Sequence, residues 1–196
     1  MHSVGMKRRL VAYLFDMMVL MGLLMLIYYF LPESHNITVL NQEFDHVNDL
    51  LFSNNISFGS YLTRVASIMQ ELDKERILYS LINAVYIIVY FVIIPFKTKK
   101  TFGMYLMGLK YESKDGKFSV DDLLVRSMIT CGLLYLLASL VLIYVLPSIA
   151  YFLTNIIFAI IQISLVVISF FMVLYRKDHR GLQDLWSRTV ITRDKK

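Results

Sequence analysis

Asp16 lies about two helical turns inside the first long apolar run of the chain, and Arg9 stands at the entrance of that run. A carboxylate placed at the centre of a membrane helix costs about 2.5–3.5 kcal/mol on insertion scales, so it faces a partner or water rather than lipid. Two chemistries fit. One is a proton- or cation-binding carboxylate that alternates between protonated and cation-loaded forms. The other is a structural ion pair, in which removing one member strands the other at a cost of about 3–5 kcal/mol. Seven residues separate Arg9 from Asp16, which puts them near one helix face but about 10 Å apart along the axis. Each therefore has alternative partners: Asp184 for Arg9, and Arg126 or Arg180 for Asp16. Asn83, Asn155 and Gln162 are weaker candidates, able to lend neutral oxygens to a cation or to make interhelical hydrogen bonds.

Other chemistries fail on inventory. The chain has no nucleophile elbow, no His-Glu-x-x-His and no phosphate loop, so it is not expected to be an enzyme. His35 and His46 share the segment 32–77 with Glu43, Asp45 and Asp49, but without ligand spacing, and no metal or cofactor is expected. Met17, Met21 and Met25 recur every fourth residue, a stripe more typical of core packing than of Cu(I) transfer. Cys131 has no second cysteine to pair with and reads as a small buried hydrophobe.

The elements that must position these residues are membrane helices. The hydrophobic fraction is 57% and the mean hydropathy +0.59, above the roughly 45–50% apolar content of soluble domains. Runs at 10–31, 78–96, 128–146 and 148–175 are each long enough for a hydrocarbon core about 30 Å thick, which takes about 20 helical residues. The net charge of +5 is not a nucleic-acid signal. Three basic residues lie at Lys7–Arg9, seven between Lys97 and Arg126, and seven from Arg176 onward, leaving three in the loop 32–77. That asymmetry puts both termini in the cytoplasm. The expected fold is an all-α membrane protein in one domain: four transmembrane helices, N-in and C-in, with a small cytoplasmic interfacial cap, one extracytoplasmic loop (32–77), a cytoplasmic loop (97–127) and a cytoplasmic tail (176–196).

Smaller signals fill in the connections. Asn, Asp and Ser make the first half of the outer loop look irregular, whereas Leu62, Val65, Met69 and Leu72 have helical spacing. Asp115-Gly116 is a hairpin turn signal, and Ser119-Val-Asp-Asp122 fits a capping box opening a helix. Gly103 and Gly108 allow close packing at the membrane surface. The tail, with Trp186 among basic residues, suits the membrane interface. Thr189-Val-Ile-Thr192 could pair as a short strand with Leu109–Ser113 or with the far arm of that hairpin.

Three segments in order resemble the RDD family of small, mostly bacterial membrane proteins, named for one arginine and two aspartates. They are Arg9-Leu-Val-Ala-Tyr-Leu-Phe-Asp16; Lys100-Thr-Phe-Gly-Met-Tyr-Leu-Met-Gly-Leu-Lys110 with the later Arg126; and His179-Arg-Gly-Leu-Gln-Asp184-Leu-Trp-Ser-Arg-Thr-Val-Ile191. The resemblance implies a multi-pass protein of the cell membrane, with the bacterial plasma membrane as the expected location, and a transport role for a small solute or cation. The alternative is a non-catalytic assembly or regulatory partner of another membrane protein. Beyond the lipid bilayer, the expected partners are further copies of the chain, because four spans are few for a closed pathway, or a membrane-protein partner; nucleic acid is not expected.

Overall fold

The computed structural model describes residues 4–31, 34–113, 116 and 118–194. Helix α1 (Met6–Tyr29) leads to an antiparallel pair, α2 (His35–Phe52) and α3 (Phe58–Glu75). Next come α4 (Ile77–Ile88), a π-turn (Val89–Ile93) and α5 (Ile94–Thr98), which together form one continuous helical rod. A short α6 (Phe102–Leu106) and strand β1 (Leu109–Ser113) precede α7 (Val120–Thr130) and α8 (Leu133–Val145). The long α9 (Ser148–Tyr175), a short α10 (Leu182–Trp186) and strand β2 (Thr189–Arg193) complete the fold.

Three of these helical rods are long and apolar enough to cross a membrane: Met6–Tyr29, Ile77–Thr98 and Ser148–Tyr175. The expected third span, 128–146, is not one straight helix. Its first residues end α7, and α8 leaves at 77°. Gly132 makes the corner with φ +67°, a left-handed conformation that opposes a side chain and ends α7. The α7 carbonyl of Ile129 is not lost at the break, because Gln162 Nε2 on α9 donates to it at 2.6 Å.

The segment 32–77 is also more ordered than its composition suggests. Ser34 caps α2, accepting from the Asn36 N–H. Ile37 and Val47 are buried against Val65, Ile68 and Leu72 of α3, and Phe152 of α9 packs against this cluster. The polar residues that looked irregular cover the outer face of an amphipathic helix. The expected helix in the second half is present as α3, and Gln70 fixes it to the bundle by donating from Nε2 to the Ile143 and Leu146 carbonyls.

At the opposite end lies a compact cap. Strands β1 and β2 pair antiparallel, Leu109 opposite Arg193 through Ser113 opposite Thr189. The N-terminal segment joins them, with the Val4 N–H donating to Ile191 O at 3.0 Å. Leu109, Tyr111 and Ile191 pack with Ala12, Val92, Met104 and Leu123, so the cap shares its core with α1, the π-turn, α6 and α7. Ser119 opens α7 through the expected capping box: its N–H donates to Asp122 Oδ2 and its hydroxyl accepts from the Asp122 N–H. The β1 strand takes its partner from the chain's tail rather than from a local hairpin arm. Asp115 of the expected turn lies outside the described residues.

Candidate functional site

The cap holds two separate polar centres, one around each aspartate. Asp184 is the N3 residue of α10 and fully buried, at 0% exposure. Helix α1 brings Arg9 to its Oδ2, and α7 brings Arg126 to its Oδ1, while the Gly181 N–H also donates to Oδ2 at 3.0 Å. Arg126 further donates to Thr189 Oγ1 at 3.2 Å, and its guanidinium lies 4.9 Å from the Tyr111 ring centroid. Burial pushes the Asp184 carboxyl up, but the two guanidiniums outweigh it and hold the group below its ordinary range. One carboxylate thus ties α1, α7 and the tail together.

Asp16 has different surroundings. It is 4% exposed, and its oxygens accept from three neutral donors. Tyr90 Oη donates to Oδ1 at 2.7 Å, Thr101 Oγ1 to Oδ2 at 2.7 Å, and the Gly103 N–H to Oδ1 at 2.7 Å. Each donor is placed by a local feature. Tyr90 stands in the π-turn, which offsets the register of the α4–α5 rod. Thr101 is the N-cap of α6, with its Oγ1 accepting from the Met104 N–H while its proton serves Asp16. Gly103 offers one of the amide groups that a helix start leaves without an internal partner. Only glycine fits there: a Cβ would sit 2.0 Å from the Ala12 carbonyl oxygen and 2.9 Å from Asp16 Oδ1. Gly108, expected to act the same way, has open space around it and serves a turn at φ +61°.

A cavity of about 310 Å³ separates the two centres, bordered by Asp16, Arg9, Arg126 and apolar groups of α1, α7 and α9 such as Tyr13, Ile129 and Val166. At this size a cavity can take several waters or a small ligand.

The candidate residues are therefore distributed as follows. Arg9 and Arg126 both meet Asp184. Asp16 joins neither Arg126 nor Arg180, because Arg126 is committed to Asp184, and Arg180 Nη2 donates instead to the backbone carbonyls of Asp184 (2.8 Å) and Thr189 (3.4 Å). None of the three neutral candidates borders the cavity. Gln162 serves the break after α7, Asn155 Nδ2 donates to Tyr151 O one turn back on its own helix at 3.1 Å, and Asn83 lies on α4. Met21 and Met25 of the methionine stripe face outward. Among the described residues no group of three or more His, Cys, Asp or Glu side chains could hold a metal ion.

Sequence reasoning missed Tyr90, the donor role of Thr101, and Tyr111. The phenols stand in apolar segments without a motif, and Thr101 stood out only as part of the family-like segment from Lys100 to Lys110. It also missed Asp73 on α3, which accepts from Tyr151 Oη at 2.9 Å beside a second, smaller cavity of about 130 Å³ near the α3 end.

Apolar helical rods bundled between a buried polar cap and a helical hairpin define a helical membrane protein. The family follows from the comparison with known proteins: a model of the RDD family matches residues 4–188, nearly the whole chain, and the protein belongs to that family. No curated protein and no solved structure matches it significantly.

Proposed function

We propose that this RDD protein crosses the cell membrane four times, with both termini in the cytoplasm, and carries a small solute or cation in exchange for protons. Asp16 is the exchanging carboxylate. The observation that supports this is the contrast between the two aspartates. Asp184 is neutralised by guanidiniums and acts as a latch, whereas Asp16 borders a cavity and is held by hydroxyl and amide donors that can reorient or let go. A carboxylate locked in an ion pair cannot release its counter-charge cheaply; one held by neutral donors can bind a proton or a cation in their place. Four crossings leave little room for a closed pathway, so the working unit is an oligomer.

Proton-coupled Na⁺, K⁺ and Li⁺ flux in proteoliposomes tests the reading, comparing wild type with Asp16→Asn. Flux in the wild type that is lost in a folded mutant supports it. If neither protein moves cations or small solutes, and Asp16→Asn is merely less stable, the chain is instead an assembly or regulatory partner of another membrane protein.

A further inference from the structure

Along the rod formed by α4 and the π-turn, Tyr79, Asn83, Tyr86 and Tyr90 follow at intervals of four, three and four residues, which places them on one face. That face meets α1. Tyr90 donates to Asp16 at its near end, and at its far end the Tyr28 hydroxyl of α1 donates to the Tyr79 carbonyl at 3.4 Å and adjoins the Asn83 amide. Between these two ends, Asn83 Oδ1 and the Tyr86 hydroxyl are fully shielded from solvent and have no hydrogen-bond partner among the described residues.

Buried polar atoms of this kind are almost always satisfied, by protein or by ordered water. Two of them between two hydrogen-bonded ends of one helix face mark a line of water positions. The spacing fits. Tyr86 and Tyr90 stack with ring centroids 5.9 Å apart and planes 26° apart, which sets the two phenols side by side along the rod. Asn83 and Tyr86 are three residues apart, or about 4.5 Å of axial rise. From Tyr79 to Tyr90 the line covers about 16 Å, half of a hydrocarbon core about 30 Å thick.

We propose that Tyr28, Asn83, Tyr86 and Tyr90, bridged by water, form a proton relay between the α2–α3 end of the bundle and Asp16. Resting on the reading of Asp16 as an exchanging carboxylate, the relay supplies its protons from the side opposite the cap. A hydronium ion at the Tyr28 end gives a proton to the first oxygen of the line. Each water or hydroxyl then takes a proton from one neighbour and releases another to the next. Tyr90 passes its own proton to Asp16 and regains one from the water behind it. The balance is one hydronium and one carboxylate converted to one water and one carboxylic acid, with every relay group restored. The π-turn belongs to this device, because it sets the register that turns Tyr90 toward Asp16.

The test reads Asp16 protonation rather than transport. Full-length protein is reconstituted with one orientation in phosphatidylcholine–phosphatidylglycerol vesicles, and pH is stepped on the α2–α3 side while the cap side is strongly buffered. The carboxylic acid infrared band absent from Asp16→Asn is followed in time. In wild type the band rises promptly. In Tyr86→Phe and Asn83→Leu, which keep the bulk of each side chain, it slows by about 10²-fold, the lower range of what a positioned proton-transfer group contributes. Tyr29→Phe, one residue from Tyr28 and exposed, responds like wild type. A wild-type band that answers only to pH on the cap side overturns the relay, as do Tyr86→Phe and Asn83→Leu proteins as fast as wild type. A prompt wild-type band that slows in both variants, in protein that moves no solute, upholds the relay while sinking the transport reading.

Discussion

At the scale of single residues, the two aspartates of one cap make opposite energetic demands. Asp184→Asn leaves Arg9 and Arg126 buried side by side without the carboxylate, and should destabilise the folded protein by about 3–5 kcal/mol. Asp16→Asn keeps an acceptor oxygen for the Gly103 N–H, and its lost charge strands no guanidinium. The expected cost is about 1–2 kcal/mol, close to that of a hydrogen bond or two. Thermal unfolding in detergent, followed by circular dichroism, ranks the two variants; equal losses would mean that Asp16 is as locked as Asp184. The same measurement against pH isolates the latch. Because the folded Asp184 carboxyl is held below its ordinary value of 3.8, the unfolded chain takes up a proton first. The stability it contributes is therefore complete above that value and drains away as pH falls from 3.8 toward the folded value. Asp184→Asn should flatten this part of the acid limb. That Asp184 draws both arginines was partly legible in advance, because Arg9 and Asp184 stood out as possible partners. That Asp16 would be served by a phenol, a capping hydroxyl and a glycine amide was not. None of these donors is charged, and their convergence depends on a π-turn and a five-residue helix with no periodic signature.

At the scale of elements, apolar length and caps were the most readable features. The run 148–175 coincides with α9, and the Ser119–Asp122 box opens α7. Shared patterning offered Thr189–Thr192 two partners, Leu109–Ser113 or the far arm of the expected hairpin, and the structure pairs Leu109–Ser113 with Thr189–Arg193. Helix α2 was hidden by its Asn and Asp content and the serines that flank it, although Ile37, Leu40, Phe44 and Val47 carry the helical stripe that packs on α3. The corner at Gly132 was invisible because apolar residues continue on both sides of it, and hydropathy does not distinguish a bent pair from a straight span. The clue lay across the bundle, in a glutamine on α9. If Gln162 holds the corner, Gln162→Leu leaves the Ile129 carbonyl without its donor and should cost about 1–3 kcal/mol. Asn155→Leu removes only a bond to its own helix and should cost less. Unfolding midpoints of the two variants in one detergent decide the matter, and a Gln162→Leu protein as stable as wild type would show that the corner holds itself.

At the scale of the whole molecule, the cap constrains the number of crossings. The Val4 N–H donates to Ile191 O, and Arg9 meets Asp184, so the start of α1 and the tail after α9 lie at the same end of the bundle. Three crossings, by α1, the α4–α5 rod and α9, would leave those two segments on opposite faces of a membrane. An even count needs the bent pair to cross as well, although α8 alone, at 13 residues, reaches only about 20 Å. The contacts at its two ends fit such a crossing. Arg126 of α7 sits in the cap, while the carbonyls of Ile143 and Leu146 accept from Gln70 at the α2–α3 end. Single cysteines placed at Gly5, Asn55 and Lys177, all exposed, in a Cys131→Ser background should therefore label in two groups. With intact cells and a membrane-impermeant maleimide, Asn55→Cys reacts from outside, whereas Gly5→Cys and Lys177→Cys react only after permeabilisation. Labelling of Gly5→Cys and Lys177→Cys from opposite sides would break the parity and reduce the bent pair to a re-entrant hook. The basic residues flanking the cap predict which side it occupies, since they favour the cytoplasm, and reversed labelling of all three sites would overturn that orientation while preserving the even count.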